Sequence, residues 1–254
     1  MTFSDIPGKF TCPFCGGEKY VMALASGNTF SGEVWSDSRH FYPMLPNYSP
    51  IQKCPHCSHY FFEDDGHFEM ASTVAVNGKQ VKVEWPSRFA WRRDKDEEIT
   101  KTPEMIEMEE LRKRIHEQVR KNRFGDLSYQ ELAEAEKDVM VEGISDDQRR
   151  EYLITFLYAL NDSKYGRARS GKEYISDYYQ ARFRTVALAL IDLFGEEKTI
   201  TAELWRELGD FDKSIELCHS LITAGTDVQV VMQIMERAKA KDPDAFILHF
   251  DKEG

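Results

Sequence analysis

The chain has 254 residues, enough for one large domain or two modest ones, and its 41% hydrophobic and 30% charged residues exclude a disordered chain. No apolar run approaches the ~20 residues that span a bilayer, and Met1 to Lys9 lack the apolar stretch of a secretory signal, so a cytoplasmic protein with no membrane partner is expected. With 33 basic against 44 acidic residues the net charge is −11, which argues against a general polyanion binder and leaves nucleic acid to local basic patches.

Lys9-Phe10-Thr11 is the first strand candidate, and it leads into Cys12-Pro-Phe-Cys15, followed by Gly16 and Gly17. A second pair, Cys54-Pro-His-Cys57, is separated from the first by 38 residues and runs into another short strand candidate, Tyr60-Phe61-Phe62. An odd cysteine total without a signal peptide fits a reducing compartment, where paired Cys-x-x-Cys means metal more often than disulfide. Two such turns offer four thiolates to one tetrahedral ion. Zinc suits that geometry because it is borderline-soft and has no redox chemistry of its own. Four thiolates fill the tetrahedron, so one structural Zn2+ per chain is expected at Cys12, Cys15, Cys54 and Cys57, replacing a core too small to fold alone. A thioredoxin-like redox pair would need a single Cys-x-x-Cys entering a helix. The fifth cysteine, Cys218, reads as a small buried hydrophobe within a helix.

Between the pairs lies an insert longer than ribbon closure requires, in which Asp37, Arg39, His40 and Tyr42 either tie the loop down or line a surface. His56 and His59, beside the second pair, read as neighbours of the metal rather than ligands. Thr73 to Val83 is a hairpin signal, with Asn77-Gly78 supplying the positive φ angles of a type I′ turn. The stretch from Trp85 to Arg93 mixes rings and cations, and the charge run Asp94 to Glu98 reads as the connection between two domains, 1–98 and 99–254.

The second domain reads as helix after helix. Thr102-Pro-Glu104 opens the first helix, Ser128-Tyr-Gln-Glu131 the second and Ser145-Asp-Asp-Gln148 the third. Tyr152 to Leu160 is apolar almost all round, as a central buried helix requires. Further helices are expected over 172–194, 200–208, 212–224 and 227–240. Gly166 to Lys172 imitates a phosphate-binding loop and Ala187 to Asp192 a Walker B strand. However, Glu173 stands where the magnesium-holding hydroxyl belongs, and helical spacing runs through the supposed strand. The fold class expected is α+β: a small β-rich zinc-ribbon domain followed by an all-α domain.

Leu204 to Leu217 resembles the inter-helix turn of a tetratricopeptide repeat, with Gly209, Asp210, Phe211, Ser214 and Ile215 at the matching positions. Cys12-Pro-Phe-Cys15-Gly, the Tyr-Pro-Met-Leu-Pro stretch at 42–46, Cys54-Pro-His-Cys57 and the 204–217 turn together resemble an uncharacterised bacterial family. Its members join a double Cys-Pro-x-Cys zinc ribbon to a tetratricopeptide-like helical segment. The resemblance implies zinc and interaction with a protein or peptide. The second knuckle departs from the Cys-Gly ending by carrying Ser58.

The leading expectation is therefore a zinc-binding interaction or adaptor protein without catalysis, its groove sought between 172–194 and 200–224, with Tyr178, Arg182 and Trp205 as partner contacts. One alternative is nucleic-acid binding by the ribbon through Lys53, Arg88, Trp91, Arg92 and Arg93, mixing cations with stacking rings. A further alternative is a metal-dependent enzyme using Asp37, His40, His56, His59, Asp64 and Asp65 around a second, open site.

Overall fold

The computed structural model describes residues 6–23, 32–42, 49–70, 73–76, 79–82, 110, 127–164, 176–195 and 198–250. Among them the strands are β1 (Ile6–Thr11), β2 (Glu18–Ala23), β3 (Glu33–Val34), β4 (His40–Phe41), β5 (Ile51–Lys53), β6 (Tyr60–Phe62), β7 (His67–Met70), β8 (Thr73–Val76) and β9 (Lys79–Lys82). The helices are α1 (Tyr129–Val139), α2 (Asp146–Lys164), α3 (Ser176–Phe194), α4 (Thr199–Glu207), α5 (Phe211–Thr223) and α6 (Val228–Lys239). This is the α+β arrangement: antiparallel hairpins first, helices after.

The chain forms two compact units, Met1–Asn28 with Met44–Gly125, and Thr29–Pro43 with Asp126–Gly254. The sequence suggested a simple succession of domains. Instead, the insert between the cysteine pairs groups with the helices.

In the first unit β1 pairs antiparallel with β2 on one edge and β7 on the other, giving the order β2-β1-β7. β5 pairs with β6, Gln52 standing opposite Phe61. Each cysteine pair thus occupies the turn of a hairpin. Phe10, Ile51, Tyr60, Phe61 and Phe62 are buried around these turns, each contributing roughly 1.5–3 kcal/mol. β8 and β9 pair antiparallel with Val76 opposite Lys79, while Asn77-Gly78 lies outside the described residues. The stretch 85–93, the helix expected from Thr102 apart from helical Glu110, and the loop 166–172 lie outside the described residues.

Capping chemistry opens the helices of the second unit where the sequence indicated. Ser128 Oγ accepts from Glu131 N while Glu131 Oε2 accepts from Ser128 N at 3.0 Å, a complete capping box. Ser145 and Gln148 repeat the exchange ahead of α2. Along α2, Tyr152, Leu153, Phe156, Leu157 and Leu160 are buried, and Tyr152 Oη donates to Leu132 O of α1 at 2.9 Å. Ala187 to Asp192, the supposed Walker B strand, lies within α3.

Helices α4, α5 and α6 share a core of Ala202, Cys218, Leu221, Val231 and Ile234. Gly209 (φ +81°) follows α4, and Asp210 caps α5 by accepting from Lys213 N. Ser214 is buried and its Oγ donates to Ala202 O at 2.8 Å, so a small residue there lets the two helices close up.

The insert docks on this unit by backbone and by charge. Ser36 N donates to Phe246 O and Leu248 N to Val34 O, both at 2.8 Å, so the tail meets the end of β3 in a single antiparallel bridge between Trp35 and Ile247. Asn161 Nδ2 donates to buried Asp37 at 2.9 Å, and Arg39 pairs with Asp162 while lying over the Tyr158 ring. Arg206 and Glu203 are fully buried and meet through Nε and Nη2, at 2.8 and 2.5 Å. Arg206 also donates to the carbonyls of Asp242 and Asp244, which fixes the start of the tail. No described helix is long and apolar enough to cross a membrane.

Candidate metal centre

The two cysteine turns repeat one another atom by atom. In the first, Cys12 N donates to Gly17 O and Gly16 N to Cys12 O, both at 2.9 Å. In the second, Cys54 N donates to His59 O at 2.8 Å and Ser58 N to Cys54 O at 3.0 Å. Both turns need a left-handed residue right after the second cysteine. Gly16 (φ +68°) supplies it without steric cost, and Ser58 adopts the same conformation at φ +63°. The departure from Cys-Gly noted in the sequence therefore changes the residue and keeps the turn.

This repetition brings all four sulfurs within 4.8 Å of one another. Cys12 Sγ lies 3.8 Å from Cys57 Sγ, and Cys15 Sγ lies 3.6 Å from Cys54 Sγ. A tetrahedron of thiolates with metal–sulfur bonds of ~2.3 Å has edges of about 3.8 Å. A covalent S–S bond would instead be ~2.05 Å. The donor set therefore fits one tetrahedral, thiophilic metal ion. Backbone N–H groups point at the sulfurs from outside, Gly17 N at Cys15 Sγ and His56 N at Cys54 Sγ, both at 3.4 Å.

Charge gives the same answer. Burial pushes the Cys54 thiol up, but the N–H groups of Cys57 and His56 and the neighbouring thiols outweigh it, and the value falls to about 6. At Cys57 the His59 N–H pulls down, while lost hydration and the sulfurs of Cys15, Cys54 and Cys12 push the thiol up to about 12. Burial likewise raises Cys12. The Cys54 thiolate forms readily, and Cys57 and Cys12 resist ionisation beside it. Only a cation at the centre makes four thiolates compatible.

The surrounding side chains brace the two turns against each other. His56 Nε2 sits 2.9 Å from Glu18 O of the first hairpin, the geometry of an N–H donor, so the ring is engaged away from the sulfurs. Phe14, 54% exposed at the tip of the first turn, stacks on His59 of the second with ring centres 4.9 Å apart. Lys19 Nζ donates to buried Gln52 at 3.2 Å, linking β2 to β5. Burial pushes the Lys19 ammonium down and the Cys54 charge opposes this.

The other candidate residues are placed as follows. Asp37 and Arg39 fasten the insert within the second unit, and Tyr42 Oη lies 3.3 Å from His40 Nδ1. Among the described residues the cysteines are the one group of three or more metal-ligating side chains within ligand distance, so the second open site finds no counterpart there. Lys53 Nζ lies 4.8 Å from the centre of the Tyr60 ring, while Arg88, Trp91, Arg92 and Arg93 fall outside the described residues. Tyr178 and Arg182 engage α1, through a ring contact with Tyr129 and an ion pair with Glu136 at 3.1 Å. Trp205 instead borders a cavity of about 720 Å³ with Lys213, Glu216, Leu217, Ser220 and Leu221, and Lys213 Nζ lies 3.8 Å above its ring. The structure thus does not gather Tyr178 and Arg182 into that groove.

Sequence reasoning did not find the cavity beside Trp205, nor the group formed by buried Asp37, Asn161, Glu203 and Arg206 with half-buried Glu207. The available signal for the latter was Glu203 and Arg206 at i, i+3 beside Ala202 and Leu204, a spacing equally natural on a solvated face. No family model, curated protein or solved structure matches the chain.

Proposed function

We propose that the chain is a zinc-binding interaction protein, with one structural Zn2+ held by Cys12, Cys15, Cys54 and Cys57 and a tetratricopeptide-like helical segment that grips a protein or peptide. The observation that carries the zinc assignment is the four-sulfur cluster, whose edges match a tetrahedral thiolate set and whose donors leave no open position for a substrate. The metal then locks two hairpins whose own apolar core is small.

The interaction reading is supported by the groove beside Trp205, where an apolar floor of Leu217 and Leu221 is flanked by Lys213, Glu216 and Ser220. Such a mixture suits an extended peptide better than a small apolar ligand. The test has two steps. Metal analysis of the purified chain should return one zinc per chain, lost when Cys12 and Cys54 are replaced by serine. A nuclease-treated pull-down with the zinc-loaded chain should then recover one protein near one-to-one, lost with Trp205→Ala. Binding recovered only when nuclease is omitted would move the reading to nucleic acid. Zinc below half-stoichiometric would overturn the metal assignment.

A further inference from the structure

In the second unit two carboxyl groups meet at a single amide. Asn161 Nδ2 donates to Asp37 Oδ2 at 2.9 Å and reaches Glu207 Oε2 at 3.5 Å. Glu203 lies one helical turn before Glu207 on α4, and both of its oxygens accept from Arg206. Asp37 is satisfied as an ion, since Oδ1 accepts from Arg39 N at 3.1 Å. Glu207 is not, because its Oε1 is buried with no partner among the described residues. Ionised together, Glu203 and Glu207 would share the one guanidinium of Arg206, with the Asp37 carboxyl adding its charge to theirs. The other charged or titratable groups here are Arg39 and Asp162, which pair with each other, and Tyr158 beneath Arg39, with Asp242 beyond Arg206.

A carboxylate oxygen can only accept, whereas a carboxylic acid offers one O–H. We propose that Glu207 is a neutral carboxylic acid at neutral pH, donating its proton to Glu203, and that this shared proton is part of the joint between α4 and the Trp35–Arg39 turn. The proton belongs on Glu207 because the Arg206 fork already holds Glu203 as an anion. The partnerless Oε1 then becomes a donor, and the Asn161 amide no longer has to bridge two negative charges. Burial pushes Glu207 well above the usual carboxyl range, the Glu203 and Asp37 charges and a hydrogen bond to Glu203 add to this, and Arg206 opposes.

A group protonated in the fold and ionised in the unfolded chain binds more protons when native. Its contribution is therefore complete below the ordinary carboxyl range and is lost as pH rises towards the folded value. Glutamate-selective carboxyl 13C labelling of the full zinc-loaded chain tests this directly and separates Glu207 from Asp37. One glutamate carbon should keep the chemical shift of a protonated acid at pH 7, and Glu207→Gln should remove that signal. Between pH 5 and 7 the unfolding constant of the unaltered chain should climb, relative to E207Q, by up to about tenfold per pH unit. Glutamate carbons that are all ionised at pH 7 would overturn the proposal, whether or not E207Q folds. So would an unfolding constant whose pH slope is the same in both chains.

Discussion

Gly17→Ala tests how the two cysteine turns support each other. A Cβ at position 17 would lie 2.5 Å from His56 Cδ2, 2.8 Å from His56 Cγ and 3.1 Å from Cys15 Sγ, against an ordinary contact of ~3.5–4.0 Å. Gly17 is not left-handed, so the backbone tolerates alanine and the cost lies in these contacts. The exposed His56 ring can swing into water, giving up its hydrogen bond to Glu18 O, while Cys15 Sγ shifts by a few tenths of an ångström. Together these cost about 1.5 kcal/mol, or roughly a tenfold weaker hold on zinc. Competition against a chromophoric chelator reads this directly. His56→Ala alone should weaken zinc by a similar factor, and the double variant should be little worse than His56→Ala. Gly16→Ala is the control. Nothing lies within 4 Å of its Cβ, so its ~1 kcal/mol cost comes from φ +68° and should add fully to His56→Ala. Full additivity of Gly17→Ala with His56→Ala would refute the bracing role of His56.

Zinc uptake at pH 7 should release at least two protons, from Cys12 and Cys57, so affinity should rise by at least about 100-fold per pH unit; calorimetry in buffers of different ionisation enthalpy counts them. Chelation should abolish the β-hairpin amide protection of residues 6–23 and 49–62, as expected where a metal substitutes for core. Ser58→Gly should stabilise the zinc form by about 0.5–1 kcal/mol in urea unfolding, because it relieves a left-handed serine at φ +63°. Arg206→Met strands Glu203 without its partner inside the protein and should cost about 3–5 kcal/mol, seen as a lower urea midpoint.

The four-sulfur cluster was legible because its signal is local. Cys-x-x-Cys fixes a turn, two such turns fix four donors, and Asn77-Gly78, Ser128, Ser145 and Gly209 each act within a few residues of themselves. Helix boundaries followed for the same reason, to within a residue or two at α4, α5 and α6. What the sequence concealed depends on pairs far apart in the chain. Asp37 meets Asn161 across 124 positions, and Phe246 meets Ser36 across 210. Neither residue type announces such a partner, and a polar insert looks the same whether it is tied down at one end of the chain or the other. Tyr178 and Arg182 show the same limit from another side: the sequence offers them as partner contacts, and the structure adds neighbours within the helical unit, Tyr129 and Glu136.

The placement of Thr29–Pro43 with the helices bears on how the chain can be divided. A fragment starting at residue 99 would keep the tail but lose Val34 and Ser36, baring a hydrogen-bonding edge at Phe246 and Leu248 that invites self-association. It would also leave Asn161 without Asp37. A fragment ending at residue 98 would carry the 32–42 hairpin with buried Ser36 and Asp37 stripped of their partners Phe246 and Asn161. A division that respects the two units keeps the 32–42 hairpin with the helices and leaves the cysteine turns to the other piece.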